Sequence, residues 1–550
     1  MNGAESLIRT LVDNGVDTCF TNPGTSEMHF VAALDEVPEM RAVLALFEGV
    51  ATGAADGYAR MADKPAATLL HLGSGLGNGM ANLHNARKGK VPIVNIVGDH
   101  ATYHVQYDAL LQSDIETVAR NVSPWVRTSQ STEELGADAA EAVRIASGPP
   151  GQVATLVLPA DVSWGEGGAV GAVVPAPQGT IADEATLDAI VTALGRGRKT
   201  AILLGRRGLR EEAMTLAAQL AATTGARLLG ETFPARMERG ARLPVVERLA
   251  YLAELASVQL DGLEDLILID TKAPVSFFAY PGKKSYLVPD GCQVHTLAAD
   301  DSDVIGSLEV LAARLGGKAK PVVLQQPSRP NRPRGKLTAD SVSEAVGYVL
   351  PEGAIVSDEA QTSGVSLPTT TAGAPRHDWL TLTGGAIGQG LPVAVGAAVA
   401  CPDRPVLALQ ADGSAMYTIQ SLWTMAREQL DVTVLILNNR AYSILNLELN
   451  RVGAGEPGPK AKAQLDLASP PIDFVAIGAG LGVPSIQVED AENLVDELQR
   501  AFAEPGPHLI EAVIPQVFTP FRLKAMPRVL GSLEHLPSPL ARAVKRRLQP

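Results

Sequence analysis

The sequence predicts an α/β protein of three consecutive domains, each built on a parallel, doubly wound sheet. Three observations support this prediction. The chain has 550 residues, which exceeds the size of one ordinary hydrophobic core. Short apolar runs alternate with longer helical patterns, and two passages rich in proline or glycine interrupt the alternation. We therefore predict an N-terminal domain over 1–168, a middle domain over 182–326 and a C-terminal domain over 337–550.

The N-terminal domain is predicted from an alternation that begins near Cys19. The runs RAVLALF, AATLLHL and VPIVNIVG have the length of strands, whereas EGVATGAADGYARMA and GNGMANLHNARKG have helical patterns. The passage Gly167–Gly179 has no apolar periodicity and is predicted to be a linker.

The middle domain is predicted from TAILLG, REEAMTLAAQLAATTG, LEDLILID and CQVHTLA, and it ends at the crossing segment QQPSRPNRPRGKLTA. The C-terminal domain repeats the alternation through GAIVSDEA, RPVLALQADGS and DVTVLILNNR. In it, one strand should end at Asp412, a helix should begin near Ala415, and a second strand should end at Asn439. The basic closing segment from Phe521 is expected to be a solvated tail, with docking on another part of the protein as the alternative.

Composition excludes several classes of protein. The formal charge of -14 and the pI near 5.2 argue against a nucleic-acid-binding protein, which would present a basic face. The 3 cysteines lack the spacing of a zinc site or a disulfide framework, so a reducing cytoplasm is expected. The N-terminal residues do not resemble a signal peptide. No run of about 18 apolar residues is present, so no membrane span is expected.

A predicted βαβ crossover places Asp412 next to Asn439 at the carboxyl edge of the sheet. One carboxylate and one amide oxygen at this edge suit a hard cation such as Mg²⁺. Gly413 and Ser414 begin the following helix, where free backbone N–H groups favour a phosphate group. Each of these residues also has a simpler interpretation as a helix cap or a turn, including Asn438 and Asn439 as a turn pair.

Together these residues resemble the signature of thiamine-diphosphate enzymes, in which a GDG-like turn is followed by a pair of asparagines after an apolar strand. The chain resembles the family of acetolactate synthase, benzoylformate decarboxylase and pyruvate oxidase over nearly its whole length. The resemblance implies that Asp412, Asn439 and the carbonyl of Ala441 bind Mg²⁺, and that Gly413 and Ser414 bind the diphosphate. Ala411 stands where the family usually has the first glycine of the turn.

Two further segments carry the resemblance. Glu48, in LFEGVATGAADGYARM, begins a predicted helix and could simply favour the helix dipole. The resemblance instead implies an activating carboxylate that hydrogen-bonds the aminopyrimidine ring of the cofactor and promotes its imino tautomer. In TGGAIGQGLPVAVG, the resemblance implies that the carbonyl of Gly385 contacts the pyrimidine and that Ile387 supports the bent cofactor. The N-terminal domain would then bind the pyrimidine and the C-terminal domain the diphosphate.

The strings NPGTSE and LLHLGSGLGNGM are most similar to those of benzoylformate decarboxylase. The resemblance implies that His71 transfers a proton and that Thr25 binds the substrate carboxylate. A structural, hydrogen-bonded histidine is the alternative for His71. His100 and His104 have either a loop role near the substrate or a plain surface position, and they are not included in the predicted site.

By family position, Ile444, Leu447 and Glu448 are predicted to line the substrate pocket. The middle-domain stretch APVSFFAYPGKK supplies no histidine where benzoylformate decarboxylase has a second one. Phe277, Phe278 and Tyr280 line a pocket there or pack the domain core. The middle domain also lacks the arginine-bearing segment that accompanies FAD in acetolactate synthase, so FAD is not expected.

These observations predict a thiamine-diphosphate- and Mg²⁺-dependent 2-oxo acid decarboxylase or carboligase that acts through an enamine intermediate. The partner molecules would be small 2-oxo acids or aldehydes. One alternative is an acetolactate synthase-like carboligase that joins two 2-oxo acids, and another is a regulatory homologue without catalysis. Because related enzymes share the site between subunits, a homodimer or homotetramer is expected.

Overall fold

The protein is described from a computed structural model, which covers residues 1–196, 199–316, 320–454, 457–516, 529–533, 536 and 538–548. These residues form three mainly parallel sheets of six, five and seven strands. This architecture confirms the predicted class of consecutive, doubly wound α/β domains. None of the described helices has the length and apolar composition needed to cross a membrane.

The N-terminal sheet is entirely parallel, with the strand order β2-β1-β3-β4-β6-β5. Its strands are β1 (Thr18–Asn22), β2 (Arg41–Leu44), β3 (Ala66–Leu70), β4 (Ile93–Asp99), β5 (Trp125–Thr128) and β6 (Val153–Pro159). Its helices are α1 (Gly3–Asp13), α2 (Met28–Ala33), α3 (Glu48–Ala62), α4 (Leu72–Gly89), α5 (Ile115–Ala119), α6 (Thr132–Ser147) and α7 (Ala160–Trp164). The strand order changes direction between β1 and β3, the kind of switch point at which open α/β sheets bind ligands.

The middle sheet has the order β10-β8-β7-β11-β12 and is also parallel. Its strands are β7 (Thr200–Leu204), β8 (Arg227–Gly230), β10 (Glu247–Arg248), β11 (Asp265–Ile269) and β12 (Gln293–Ala298). The helices here are α8 (Glu184–Leu194), α9 (Glu211–Thr224), α10 (Ala253–Leu260) and α11 (Val304–Leu315). Strand β9 (Met237–Arg239) leaves this unit and pairs antiparallel with the C-terminal sheet. The limits of the three domains remain predictions.

The C-terminal sheet has the order β17-β18-β16-β15-β13-β14-β9 and is parallel except for β9. Its own strands are β13 (Ile355–Glu359), β14 (His377–Thr381), β15 (Val406–Ala411), β16 (Val432–Asn438), β17 (Ser485–Val488) and β18 (His508–Val513). The helices are α12 (Ala339–Val349), α13 (Leu367–Thr370), α14 (Gly390–Ala400), α15 (Asp412–Ala415), α16 (Ser421–Arg427), α17 (Ser443–Arg451), α18 (Pro459–Ala463), α19 (Phe474–Gly480), α20 (Ala491–Ala503) and α21 (Ser538–Leu548). Its switch point lies between β13 and β15.

The helix that should follow Asp412 differs from the prediction. Strand β15 ends at Ala411, and the helix begins at Asp412 instead of near Ala415. It ends after one turn, and a second helix begins at Ser421. The single helix predicted from about Ala415 is therefore wrong, because helical periodicity alone does not reveal a break between two short helices.

Helices α3 and α14 join the N-terminal and C-terminal domains through a close backbone contact. A Cβ atom on Gly57 would lie 2.7 Å from the Cα atom of Val393, and one on Gly396 would overlap the carbonyl oxygen of Ala54. Glycine at both positions allows the two helix backbones to approach this closely. The surrounding apolar residues form one continuous core that spans both domains.

The basic closing segment docks on the middle domain where it is described. Leu530, Leu533 and Ala541 bury apolar surface against a group on and before α10, namely Ala250, Leu255 and Val258. Arg542 Nη2 also donates to the carbonyl of Asp261, at 3.3 Å. The expectation of a solvated tail is therefore wrong for these residues, because their apolar side chains are removed from water by packing on the middle domain.

Candidate active site at the sheet edges

The carboxyl ends of the neighbouring strands β15 and β16 bring Asp412 and the turn after β16 into direct contact. Asp412 Oδ2 accepts a hydrogen bond from the backbone N–H of Arg440 at 2.7 Å, and Oδ1 accepts one from Gly413 at 2.9 Å. Asn439 Oδ1 accepts from the N–H of Ala441 at 3.0 Å. The three predicted metal ligands thus lie together at one edge of the sheet.

Burial raises the pKa of Asp412, while backbone N–H groups of Gly413, Arg440 and Ala441 act in the opposite direction. The carboxylate is only 2% exposed. A cation at this position would favour the ionised form of the carboxylate. Its position at the start of α15 also favours a negative charge.

Glu359, at the end of β13, is a site residue that the sequence reasoning missed. Its carboxylate accepts hydrogen bonds from the backbone N–H groups of Gly388 and Gly390, both at 2.7 Å, and from Gln410 Nε2 at 2.9 Å. Gln410 in turn donates to Ser414 Oγ at 2.6 Å. Burial raises the pKa of Glu359. A carboxylate that ends the apolar strand in GAIVSDEA was the available signal.

The segment 383–389 contains the predicted pyrimidine contacts and is held by the N-terminal domain. Gly385 and Gly388 have φ of 78° and 95°, in the left-handed region that favours glycine, and Ile387 lies between them, partly exposed. Three side chains of α4 hold the backbone of the segment: Asn85 Nδ2 donates to Ala386 O at 2.8 Å, Asn82 Nδ2 to Gly388 O at 3.3 Å, and His84 Nε2 lies 3.1 Å from Gly384 O.

Glu48 is the first residue of α3 and is 8% exposed. Its Oε2 atom accepts a hydrogen bond from Asn78 Nδ2 at 3.0 Å. A Cβ atom on Gly75 would lie 3.0 Å from Oε1 of the same carboxylate, so the first turns of α4 pass directly beside it. The helix that contacts Glu48 therefore also holds the segment 383–389.

The switch point of the N-terminal sheet brings His71 close to a second residue that the sequence reasoning missed, Glu27. His71 Nδ1 lies 2.8 Å from Glu27 Oε2, and the same oxygen accepts from the N–H of Gly24 at 2.7 Å. Glu27 is fully buried, burial raises its pKa, and among the described residues its Oε1 has no hydrogen-bond partner. Thr25 is exposed at the start of the intervening turn. In the sequence, the only sign of this role was the position of Glu27 as the last residue of NPGTSE.

The three predicted pocket residues lie on α17 in different environments. Leu447 is buried and Ile444 is partly exposed. Glu448 pairs with Arg451 at 2.9 Å, and Arg451 also binds Glu254 at 2.9 Å. Glu448 is thus part of an ion cluster between α17 and the middle domain.

Aromatic side chains of the middle domain approach the segment 383–389. The ring of Phe277 is so close to Gly385 that a side chain at that glycine would overlap it. Phe277 contacts Phe233, Tyr251 and Phe278, with ring centroids 4.9 to 6.0 Å apart. Phe233, Tyr251 and Phe277 border a cavity of about 440 Å³ between the N-terminal and middle domains. Burial raises the pKa of Tyr251 to about 12.

Tyr280 does not join this aromatic wall. Its ring lies under the guanidinium group of Arg451, at 3.9 Å from the ring centroid, and its hydroxyl accepts a hydrogen bond from Arg451 Nη1 at 2.8 Å. The structure therefore keeps Phe277 and Phe278 in contact with each other, whereas Tyr280 packs on Arg451 and interacts with Tyr251.

Two groups of residues are relevant to metal binding: the histidine pair after β4 and the predicted magnesium ligands. His100 and His104 lie with their ring centroids 5.4 Å apart. Within the described part of the chain, no group of three or more His, Cys, Asp or Glu residues is arranged to hold a metal ion. The predicted magnesium site would use one carboxylate, one amide and one backbone carbonyl, which are oxygen ligands suited to a hard cation.

Two observations test whether thiamine diphosphate and Mg²⁺ fit this edge. A Cβ atom on Gly413 would overlap the ring of Tyr442, so the turn admits only a residue without a side chain beside the predicted ligands. Ser443 Oγ is buried without a hydrogen-bond partner among the described residues, two positions after Ala441. A buried unpaired hydroxyl at the N-terminus of a helix is compatible with a bound diphosphate.

Comparisons with known proteins agree with this geometry. Residues 1–120 match the family model described as "Thiamine pyrophosphate enzyme, N-terminal TPP binding domain", and residues 364–512 match "Thiamine pyrophosphate enzyme, C-terminal TPP binding domain". A Mycobacterium tuberculosis protein provisionally named as an acetolactate synthase large subunit is 58% identical over 94% of this chain and 100% of its own length. The chain belongs to the thiamine-pyrophosphate enzyme family.

Other members of this family are more distant. The benzoylformate decarboxylase of Pseudomonas aeruginosa is 28% identical over 90% of this chain and 96% of its own length. Among solved structures, the thiamine diphosphate-dependent 4-hydroxybenzoylformate decarboxylase of Rhodococcus jostii RHA1 has a TM-score of 0.81 at 24% identity, covering 94% of this chain and 99% of its own. The benzoylformate decarboxylase of Polynucleobacter necessarius has a TM-score of 0.80 at 22% identity, covering 94% and 100%. These structural likenesses support the fold.

Proposed function

We propose that this family member is a thiamine-diphosphate- and Mg²⁺-dependent enzyme that removes carbon dioxide from a 2-oxo acid. The product would be an aldehyde or the ligation product of a second carbonyl compound. The observation that carries this proposal is the contact between Asp412 and the turn of Asn439 to Ala441. It places one carboxylate, one amide oxygen and one carbonyl at the start of a helix, where Mg²⁺ and a diphosphate can be held together.

In this proposal, the protein mainly orients groups and controls protons. Bound thiamine diphosphate supplies the carbon nucleophile and the electron sink for the cleavage of the bond to the carboxylate. Glu48 would accept a hydrogen bond from the pyrimidine ring and stabilise the imino tautomer. Asn78 and the tight approach of Gly75 keep the Glu48 carboxylate in one orientation. Gly385 would offer its carbonyl to the same ring, and Ile387 would support the bent cofactor.

The substrate would lie beside His71 and Thr25. Glu27 holds the Nδ1 side of the His71 ring, which leaves Nε2 as the nitrogen that can exchange a proton with a ligand. The exposed hydroxyl of Thr25 is available for a substrate carboxylate. The contact with Glu27 also suits a structural, hydrogen-bonded histidine, and the proton-transfer role is supported by the 22% exposure of the His71 side chain.

A second candidate function is an acetolactate synthase-like carboligation of two 2-oxo acids. The aromatic wall at Phe277 favours it, because the rings described there include no histidine where benzoylformate decarboxylase is expected to present a second one. The name of the 58% identical Mycobacterium tuberculosis relative also supports it. A wall without a histidine would slow protonation of the carbanion equivalent and allow a second carbonyl to capture it.

The decisive experiment is turnover by the purified chain with thiamine diphosphate and Mg²⁺. Pyruvate, benzoylformate and related 2-oxo acids are supplied singly and in pairs, and carbon dioxide, aldehydes and hydroxyketones are quantified by NMR. We expect carbon dioxide release that requires both cofactors. Aldehyde as the main product would support a decarboxylase, and a hydroxyketone would support a carboligase. Cofactor binding without product from any substrate would support a regulatory homologue.

Assembly and location are part of the proposal. We propose a homodimer or homotetramer in which Glu48 of one subunit serves the diphosphate site of another. We also propose a cytoplasmic location, in keeping with the acidic composition and the few unpaired cysteines.

A further inference from the structure

A buried ion pair lies where all three domains meet. Asp56 and Arg60 are four residues apart on α3, the helix that begins with Glu48. Their side chains are 0% and 1% exposed, and Arg60 Nε lies 2.7 Å from Asp56 Oδ1. Burial of two charges is expensive, and replacement by apolar residues is often neutral or stabilising. The pair therefore invites an explanation other than stability.

Arg60 forms five hydrogen bonds, one for each N–H that its guanidinium group can donate. Nε and Nη2 donate to the two oxygens of Asp56, both at 2.7 Å. Nη1 donates to the carbonyls of Ala235 at 3.0 Å and Thr381 at 2.8 Å, and Nη2 donates to Thr383 Oγ1 at 3.1 Å. The acceptors belong to the N-terminal domain, to the stretch before β9 and to the end of β14. A single planar group thus sets the relative positions of three units.

Both ends of the segment 383–389 are tied to this pair. Thr383 at its start accepts from Arg60, and Gln389 at its end donates from Nε2 to Asp56 Oδ2. Gln389 Oε1 also accepts from the N–H of Thr383, at 3.3 Å, which closes the segment on itself. Gly385 and Ile387, the predicted pyrimidine contacts, lie between these two anchors.

We propose that Arg60, oriented by Asp56, is a positioning residue of the cofactor site that holds the segment 383–389, and with it Gly385 and Ile387, in place. This inference rests on the proposed function, because it concerns the groups that would orient the pyrimidine ring. Arg60 contacts neither cofactor nor substrate in this scheme. Its effect is transmitted through Thr383 and Gln389 on one side and through α3 on the other.

The test uses the full-length protein with thiamine diphosphate and Mg²⁺, and four variants. Arg60→Lys keeps the charge but loses the planar fork, and Arg60→Met removes the charge. Thr383→Val removes the hydroxyl that accepts from Arg60 and donates to the carbonyl of Asn85 at 2.8 Å. The control is Arg404→Lys, because Arg404 binds Asp378 at 2.6 Å and two carbonyls within the C-terminal domain. The measurements are cofactor affinity by calorimetry, thermal unfolding, and deuterium exchange at the thiazolium C2 of saturating cofactor by NMR.

We expect slower C2 exchange in both Arg60 variants at saturating cofactor, by about a hundredfold, since small misplacements of reacting groups can cost that much. Thr383→Val should also slow C2 exchange, but by a smaller factor. Arg60→Lys should exchange faster than Arg60→Met. Arg404→Lys should exchange like the wild type even if its melting temperature falls.

The outcomes separate this proposal from the proposed function. A wild-type chain that binds no thiamine diphosphate would overturn both. A wild type that exchanges C2 while all Arg60 and Thr383 variants exchange equally fast would overturn only the positioning role. If the Arg60 variants do not fold, normal exchange in Thr383→Val would still overturn it. Loss of stability with unchanged exchange would assign the pair a purely structural role.

Discussion

Glu48 and Asp412 occupy the same local position in two different domains. Each is a buried carboxylate at the first residue of a helix, α3 or α15, near the carboxyl end of a parallel strand. The N-terminal end of a helix stabilises negative charge, which offsets part of the cost of burial. We propose that the two carboxylates serve different purposes: Glu48 activates the pyrimidine, and Asp412 coordinates Mg²⁺.

Glu48→Gln should retain thiamine diphosphate binding and lose turnover by at least about a hundredfold, within the usual range for acid–base groups. The amide keeps the shape of the side chain but lacks the charge that stabilises the imino tautomer. The measurements are calorimetric cofactor affinity and steady-state turnover on a substrate that the wild type accepts. Exposed Glu39→Gln serves as the control. Near-normal turnover by Glu48→Gln would refute the activating role.

Asp412→Ala should abolish Mg²⁺-dependent cofactor binding, because it removes the only carboxylate of the predicted ligand set. Titration of thiamine diphosphate with and without Mg²⁺ should show the loss directly. Asp403→Ala, at an exposed position of the same domain, should bind like the wild type. Unchanged affinity in Asp412→Ala would place the metal elsewhere.

Among the elements, the segment 383–389 and the helix pair α3 and α14 do most to position the site. Glu359 at the end of β13 holds the backbone of Gly388 and Gly390, and Gly390 begins α14. Helix α14 then packs against α3, which carries Glu48 at its start. Glu48 is thus connected to the predicted diphosphate site through helix α3, helix α14 and the segment 383–389.

The buried Glu359 should make stability depend on pH. Because burial raises its pKa, the folded chain keeps this proton at pH values where the unfolded chain has released it. The stabilisation of the folded state by this proton is complete below about pH 4.5, the ordinary pKa of glutamate. It is lost as the pH rises through the raised pKa of Glu359 in the folded state. The melting temperature of the wild type should therefore fall relative to that of Glu359→Gln, which has no proton to lose at this position, from pH 5 to pH 8. A wild-type melting temperature that stays constant or rises relative to that of the variant would contradict this expectation.

Gly396→Ala should destabilise the protein by about 2 kcal/mol or more, because an added Cβ atom would overlap the carbonyl of Ala54 on α3. Chemical denaturation should measure the change in the free energy of unfolding. Gly480→Ala is the matched control, since nothing lies within 4 Å of its Cβ position. Equal stability of the two variants would show that the helices can separate without cost.

For the whole molecule, the arrangement of the carboxylates predicts cooperation between subunits. Glu48 belongs to the N-terminal domain and Asp412 to the C-terminal domain, so a shared site would draw one from each of two chains. Exposed apolar side chains, such as Leu110 and Tyr107, lie in the loop after β4. An exposed apolar loop of this kind is suited to burial in an interface.

Mixing Glu48→Gln and Asp412→Ala chains under mild dissociating conditions should restore activity. Random hybrid dimers would carry one site with both defects and one intact site, so about a quarter of wild-type activity is expected. Each variant alone, treated in the same way, is the control. No recovery in a mixture shown by mass spectrometry to contain hybrids would refute a shared site, as would a fully active monomer.

Much of the architecture could be predicted because it is encoded locally. Apolar runs of strand length followed by helical patterns predicted three consecutive α/β domains, and the three sheets confirm that class. The asparagine pair and the aspartate after apolar strands predicted a meeting of Asp412 with Asn439. The parallel crossover makes that meeting nearly obligatory.

The sequence by itself determined the fold class, the family and the residues that end its strands, since these depend on periodicity and on short motifs. Tertiary structure decided the partners of those residues. Glu27 meets His71, Glu359 meets Gly388, Arg60 meets Thr383, and the closing helix α21 meets α10. These contacts join residues up to 323 positions apart. Their geometry depends on how separate domains pack, and no local periodicity contains that information.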